Sequence, residues 1–236
     1  MKTHYPVHKD YRTINIGVPM HAPLLPLFQG MTRFLYSRQS IPSTIGYQKL
    51  TLKSFDGSTF PVELFSPYTT KDKSPCILFL HGGAFALPAN DFHKKLMTEY
   101  ALGSHAKVLI VDYRLVPKYR YPYGLEDCFT AYRWIVEYGN EFAIDTNRIA
   151  VCGDSAGGAL AASLTHLIRD RNLTAPLFQM LIYPVLDAVQ QTDSMKRFTD
   201  TPIWNARQNT KMWNLYCKNP TTQAYCSPMQ ITSFAS

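Results

Sequence analysis

The chain has 236 residues, of which 46% are hydrophobic and only 17% are charged. This composition is too apolar and too weakly charged for an intrinsically disordered protein, and the length allows a sizeable hydrophobic core. Lysine and arginine number 24 against 17 aspartate and glutamate, but the positive residues are scattered and form no basic stripe; we therefore expect no nucleic-acid partner.

The first clear element in chain order is a β-hairpin. Residues 1–45 are rich in proline and aromatic residues without a clean period, but apolar residues then alternate on either side of Asp56-Gly57: Leu50, Leu52, Val62 and Leu64. Short, fully apolar runs follow, as expected of parallel strands buried on both faces: Cys76–Leu80, Val108–Val111, Ile149–Val151 and Met180–Tyr183. Between these runs lie three helical patterns: Asp91–Leu102, Leu125–Tyr138 and Ala156–Arg169.

This order of elements predicts an α/β fold, with a mostly parallel sheet, an N-terminal antiparallel hairpin and helices on both faces. After residue 187 the sequence becomes polar, with one helix predicted near Ala206–Cys217 and no strand. We therefore expect an N-terminal cap segment over residues 1–45, a core over 46–187 and a second cap segment over 188–236. The two flanking segments would cover the carboxyl edge of the sheet, where open α/β sheets bind ligands.

Cysteine usage and the N-terminus bear on the cellular compartment. The five cysteines are an odd number without C-x-x-C spacing, which favours reduced thiols over a disulfide framework. The first residues lead into no apolar segment of the signal-peptide type, and no uncharged apolar run reaches the ~18 residues of a membrane span. These features predict a cytoplasmic protein without a membrane span.

A glycine-rich turn joins strand Ile149–Val151 directly to the following helix and reads Gly153-Asp154-Ser155-Ala156-Gly157-Gly158. G-x-S-x-G between a strand and a helix is the nucleophile elbow, in which bulk at position 153 or 157 would collide as the chain reverses. The turn presents Ser155 as a nucleophile beside the free amide of Ala156 at the helix N-terminus. A serine that merely caps the helix is the alternative. A phosphate loop is excluded, because Ala159-Leu160 stand where Lys-[Ser/Thr] is required.

A second glycine loop, His81-Gly82-Gly83-Ala84-Phe85, follows strand Cys76–Leu80. Acyl transfer needs hydrogen-bond donors about 2.7–3.1 Å from the developing oxyanion, and the HGGG-type loop of esterases supplies backbone amides for this purpose. A tight turn in which His81 is only a stabilising polar group is the alternative. We predict an oxyanion hole and its supporting residues as follows: donors Gly82, Gly83 and Ala156, with His81, Gly153, Asp154 and Gly157 supporting the loop and the elbow.

With two further motifs, the chain resembles the hormone-sensitive-lipase branch of the α/β-hydrolases, which includes many bacterial acetyl esterases. The further motifs are Asp112-Tyr113-Arg114-Leu115-Val116-Pro117 and Tyr183-Pro184-Val185-Leu186-Asp187, and the resemblance covers residues 47–187. It implies a serine esterase or lipase that cleaves short-chain acyl esters through Ser155, without a metal or other cofactor. The sequence departs from the usual pattern at three positions: Ala84, Lys118 and Cys152.

The acid and base of a catalytic triad are the missing parts. In this fold they follow the serine, but the only later histidine is His166, about 16 Å along the same helix. Asp187 could orient a base, although a helix cap is the more ordinary role for it. We therefore predict a truncated, catalytically crippled hydrolase whose triad Asp and His are not encoded in the chain. The alternatives are a non-catalytic small-molecule binding protein and half of a split hydrolase, with a homodimer or a complementing C-terminal fragment as partner.

Overall fold

A computed structural model describes residues 8–9, 20–68, 73–217 and 226–229. Six strands form one sheet in the order β1-β2-β4-β3-β5-β6. The strands are β1 Ile45–Lys53, β2 Thr59–Pro67, β3 Ser74–Leu80, β4 Lys107–Val111, β5 Ile144–Asp154 and β6 Phe178–Ile182. Strands β3 to β6 run parallel, whereas β2 pairs antiparallel with both β1 and β4. The predicted mostly parallel sheet with an antiparallel N-terminal hairpin is confirmed.

The hairpin has the register that its apolar alternation predicts. Leu50 pairs with Val62, and Leu52 pairs with Phe60 across the turn. Gly57 supplies the positive φ of 82° that the turn requires and that most side chains disfavour. One face of the hairpin can therefore join the core as a unit.

Six α-helices accompany the sheet in the described part of the chain: α1 Leu25–Arg38, α2 Asp91–Ser104, α3 Tyr123–Tyr138, α4 Ala156–Asp170, α5 Asp193–Arg197 and α6 Ala206–Tyr216. The three core helices and the helix near 206–217 agree with the predicted positions. The sequence pattern missed α1, because this helix leaves large apolar side chains in solvent, Leu27 being 71% exposed and Phe34 54% exposed. Its polar and apolar residues therefore do not separate into two clean faces.

Hydrophobic residues fill both sides of the central strands. In β3, Leu78 and Leu80 belong to the cluster beside α3 and α4, while Phe79 belongs to the cluster beside α2. The prediction of burial on both faces is wrong for the last run, Met180–Tyr183, since Met180 is 37% exposed and Tyr183 is 67% exposed. Within the described residues β6 has only β5 as a strand partner, so its surroundings are much less crowded than those of β3.

The sheet order places the two glycine loops side by side. Strands β3 and β5 are parallel neighbours, and Leu80 pairs with Gly153 at their carboxyl ends. The loop after β3 and the turn after β5 therefore emerge next to each other at the edge where open α/β sheets bind ligands. Among the residues that the structure places, no helix is long and apolar enough to cross a membrane.

Candidate active site

The backbone of Ser155 forms a strained turn between β5 and α4. Its φ of 52° and ψ of −115° lie in a region that costs an L-residue about 1–3 kcal/mol. Hydrogen bonds hold the turn on both sides: the Ser155 N–H donates to Ile182 O at 2.9 Å, and the Val185 N–H donates to Ser155 O at 3.2 Å. The surrounding structure thus maintains a conformation that the residue would not adopt by itself.

Two glycines permit the close approach of backbone that this turn requires. A Cβ on Gly157 would lie 2.5 Å from the carbonyl carbon of Leu80 and 2.6 Å from the oxygen of His81. A Cβ on Gly153 would lie 2.5 Å from the carbonyl carbon of Gly157. Real Cβ atoms keep at least 3.0 Å from such neighbours, so the predicted collision at positions 153 and 157 is present in the geometry.

The amide of Gly82 is engaged in holding the two loops together. Its N–H donates to Oδ1 of Asp154 at 2.7 Å, and a Cβ at position 82 would come within 3.0 Å of the same carboxyl group. This hydrogen bond is at odds with the predicted role of Gly82 as an oxyanion donor, because the amide already has a buried carboxylate as its acceptor. Asp154 instead acts as the link between the elbow and the loop.

The next two residues of the loop carry amides of a different kind. Gly83 has φ 121° and Ala84 has φ 57°, so the chain folds back sharply after Gly82. Neither N–H has an acceptor among the residues that the structure describes. Ala156, the first residue of α4, likewise has an N–H without an intrahelical partner. These three N–H groups are available to donate hydrogen bonds to an oxyanion, and sequence reasoning did not include Ala84 among them.

His93 is a second partner of Asp154 that sequence reasoning missed. Its Nε2 donates to Oδ1 of Asp154 at 3.3 Å, while Asn90 and His93 form a capping box at the start of α2. Burial alone would raise the pKa of Asp154, but the hydrogen bonds from His93 and Gly82 lower it below its ordinary value. Asp154 is therefore held as a carboxylate. The N-x-x-H spacing of Asn90 and His93 indicates only the start of a helix. The contact of His93 with Asp154 depends on how α2 packs against β5.

His81 is a structural part of the loop. It is completely buried, stacks on Tyr113 with ring centroids 4.4 Å apart, and has Nδ1 2.7 Å from Gly82 O. Burial, followed by the neighbouring His93, lowers the pKa of His81 to about 4. The ring is consequently neutral near pH 7 and lies packed inside the loop.

The described residues place no base on the serine. The Ser155 hydroxyl has no hydrogen bond to any histidine in the part of the chain that is described, and His166 lies eleven residues along α4. Asp187 comes five residues after the end of β6 rather than at its end, and its carboxylate accepts the N–H groups of Val189 and Gln190. Asp187 therefore stabilises a turn, and α5 is capped by Thr192 instead. His4, which no sequence motif marks as a base, lies outside the described residues.

A family described as having the alpha/beta hydrolase fold matches residues 77–236, which is well over half of the chain. This chain belongs to the α/β-hydrolase family. The resemblance inferred from the glycine loops is thereby confirmed, and so is the predicted fold class.

Individual α/β-hydrolases agree with this assignment. The chain is 38% identical over 160 residues to a carboxylesterase, NlhH, of Mycobacterium tuberculosis, covering 68% of this chain and 48% of that protein. It is 35% identical over 210 residues to an ethyl acetate hydrolase of Pseudomonas putida, covering 86% of this chain and 65% of that one. The crystal structure of esterase LipW from Mycobacterium marinum superposes with a TM-score of 0.83 at 26% identity, covering 97% of this chain and 73% of that one. The chain thus spans less than two thirds of the length of these two curated relatives.

Proposed function

We propose that this α/β-hydrolase cleaves small carboxylic esters through an acyl-enzyme on Ser155. The observation that carries the proposal is the position of Ser155: a strained turn, held by Ile182 and Val185, lies beside a loop with two amides that lack acceptors among the described residues. The names of the relatives, a carboxylesterase and an ethyl acetate hydrolase, support the same chemistry.

The proposed mechanism uses the loop amides at the step where charge develops. The Ser155 hydroxyl oxygen attacks the ester carbonyl, and the resulting oxyanion accepts hydrogen bonds from the amides of Gly83, Ala84 and Ala156. Removing one such donor typically costs about 100- to 1,000-fold in kcat. Asp154 is a positioning residue in this scheme, because its carboxylate holds the loop through the amide of Gly82.

We propose that none of the described histidines is the base that activates Ser155. His81 is buried against Tyr113, His93 is bound to Asp154, and His166 lies too far along α4. Loss of a triad partner in serine hydrolases removes about 10⁴- to 10⁶-fold in kcat, while the oxyanion hole keeps about 10³- to 10⁴-fold over water. This chain alone is therefore expected to be a weak catalyst.

We also propose that segments before residue 46 and after residue 187 form a two-part cap. In α1, Gln29 Nε2 donates to Ala86 O at 2.7 Å, and in α6 the Tyr216 ring stacks on Phe85 at 3.8 Å. The two segments thus contact the last residue of the glycine loop and the residue that follows it, which supports a position next to the proposed substrate site. A cytoplasmic location is proposed as well, on the sequence features alone.

The decisive experiment compares this chain with one extended beyond residue 236, using a fluorophosphonate probe and p-nitrophenyl butyrate. We expect labelling and turnover in the extended chain, both lost in Ser155→Ala, and turnover lower by at least about 10⁴-fold in the 236-residue chain. Full turnover by the 236-residue chain that Ser155→Ala abolishes would contradict the assignment of the base. The absence of labelling in both chains would contradict the esterase and favour a non-catalytic binding protein.

A further inference from the structure

A cavity of about 580 Å³ lies away from the proposed esterase site. Its lining comes from the C-terminal half of α1, residues 39–43, the outer strands β1 and β2, and the start of α2. No residue of the elbow or of the loop 81–85 lines it. Cavities of this size commonly hold small organic ligands.

Two charged side chains in the cavity wall are buried. Lys94 is 4% exposed and Glu63 is 7% exposed. The Lys94 ammonium donates to Tyr36 O at 2.7 Å and to Gln39 O at 3.3 Å, and it lies 4.1 Å from the centroid of the Tyr36 ring. The ammonium therefore holds the C-terminal end of α1 and still has a third N–H without an acceptor among the described residues.

The Glu63 carboxylate in the cavity wall is already engaged by neighbouring donors. The Tyr36 hydroxyl donates to Oε2 of Glu63 at 2.6 Å, and the Lys49 ammonium lies 3.9 Å from Oε1. Among the described residues, the Lys94 ammonium therefore keeps an unused N–H, whereas the Glu63 carboxylate already accepts a hydrogen bond.

The charges of the lining residues also favour an anionic ligand. Arg33 and Asp112 neutralise each other through an ion pair at 3.0 Å. Lys49 and Lys94 then face the single carboxylate of Glu63, which leaves one positive charge in excess. The excess positive charge would repel an organic cation. A multiply charged anion such as phosphate would in turn be repelled by the Glu63 carboxylate at close range. A single negative charge is the best match.

The rest of the lining is apolar and suits a hydrocarbon body: Ile41, Pro42, Ile45, Pro88, Ala89 and Ile110. We propose that this cavity binds a small monocarboxylate, whose carboxylate meets the ammonium groups of Lys49 and Lys94 and whose apolar body lies against Ile41 and Ile110. The proposal is independent of the esterase reaction, since it uses none of the residues assigned to that site.

The test is a titration of the full chain with sodium hexanoate, followed by NMR of isoleucine methyl groups. We expect saturable shifts at Ile41, Ile45 and Ile110, whereas hexylammonium, hexanol and inorganic phosphate at the same concentration should leave these methyl groups unchanged. The methyl shifts locate the ligand, so binding of hexanoate near Ser155 would be recognised as a separate event.

A pair of lysine variants on the same strand supplies the control. Lys49→Gln removes a cavity ammonium and should raise the Kd about tenfold, whereas Lys53→Gln removes an exposed charge that does not line the cavity and should leave the Kd unchanged. Lys49 has a side chain that is 61% exposed, so its replacement leaves the packed interior untouched. Equal effects of both variants, equal shifts with hexylammonium, or no shifts with hexanoate would each overturn the proposal.

Discussion

Gly157→Ala tests whether the elbow depends on direct contact between helix α4 and strand β3. The added Cβ would lie 2.5 Å from the carbonyl carbon of Leu80, where real Cβ atoms keep at least 3.0 Å, and it would lie closer still to the Leu80 oxygen. The obstacle is backbone in the middle of the sheet: Leu80 pairs with Val111 on one side and with Gly153 on the other. It cannot yield without disturbing both pairings.

The expected cost follows from this rigidity. Overpacking a well-packed interior usually costs about 1–3 kcal/mol, and a clash with paired backbone belongs at or above the upper end, so we expect a loss of at least ~3 kcal/mol. At the usual urea dependence of about 1–3 kcal/mol per molar, the unfolding midpoint should fall by about 1–3 M.

Urea unfolding followed by circular dichroism measures this loss, and Gly30→Ala is the matched control. Gly30 lies within α1, and a Cβ there would meet no heavy atom within 4 Å. This control should stabilise the protein by about 0.5–1 kcal/mol, since alanine suits a helix better than glycine. A Gly157→Ala midpoint equal to that of the parent protein would refute the close contact that defines the elbow.

Three further outcomes follow from the same structure. Burial holds the pKa of His81 at about 4 against an ordinary 6.5, so between these pH values the unfolded state binds a proton that the folded state does not. The free energy of unfolding should therefore fall by about 3 kcal/mol from pH 6.5 to pH 4. Urea unfolding of His81→Asn should lack this pH-dependent decrease. Asp127→Asn removes one of the two carboxylates that pair with the guanidinium of Arg114, the one at 2.7 Å, while Asp56 still pairs with it at 2.6 Å. We expect a loss of about 1–3 kcal/mol by urea unfolding, and an unchanged stability would contradict the importance of the Asp127 pair. Ser155→Gly should be about 1 kcal/mol more stable than Ser155→Ala in the same assay, because glycine relieves the positive φ; the reverse order would mean that no strain is stored there.

The elements with the strongest local patterns were predictable from the sequence. The hairpin around Gly57 and the helices α2, α3 and α4 lie where the apolar periods placed them, because in each case one face is buried and the other is not. Helix α1 escaped prediction for the opposite reason, since its polar side chains hold it to the protein while apolar ones such as Leu27 face solvent.

In the candidate site, too, local features were predictable from the sequence and tertiary contacts were not. The sequence identified Ser155 and the loop beginning at His81, because both depend on local turn chemistry that few other residues can satisfy. Tertiary contacts determine which amides of the loop lack acceptors. The Asp154 carboxylate accepts the amide of Gly82 and is itself hydrogen-bonded to His93 from α2. No spacing along the chain reports that contact.

The order of residues was thus sufficient for the fold class and for locating the elbow at Ser155 and the glycine loop at His81, since each depends on short-range geometry. Only the tertiary structure decided that Asp154 joins two loops 72 residues apart, and that Lys94 and Glu63 meet beneath α1 around a cavity. Hydrogen bonds and charge balance arise between groups that packing brings together, so they become visible only when the strands and helices are placed in space.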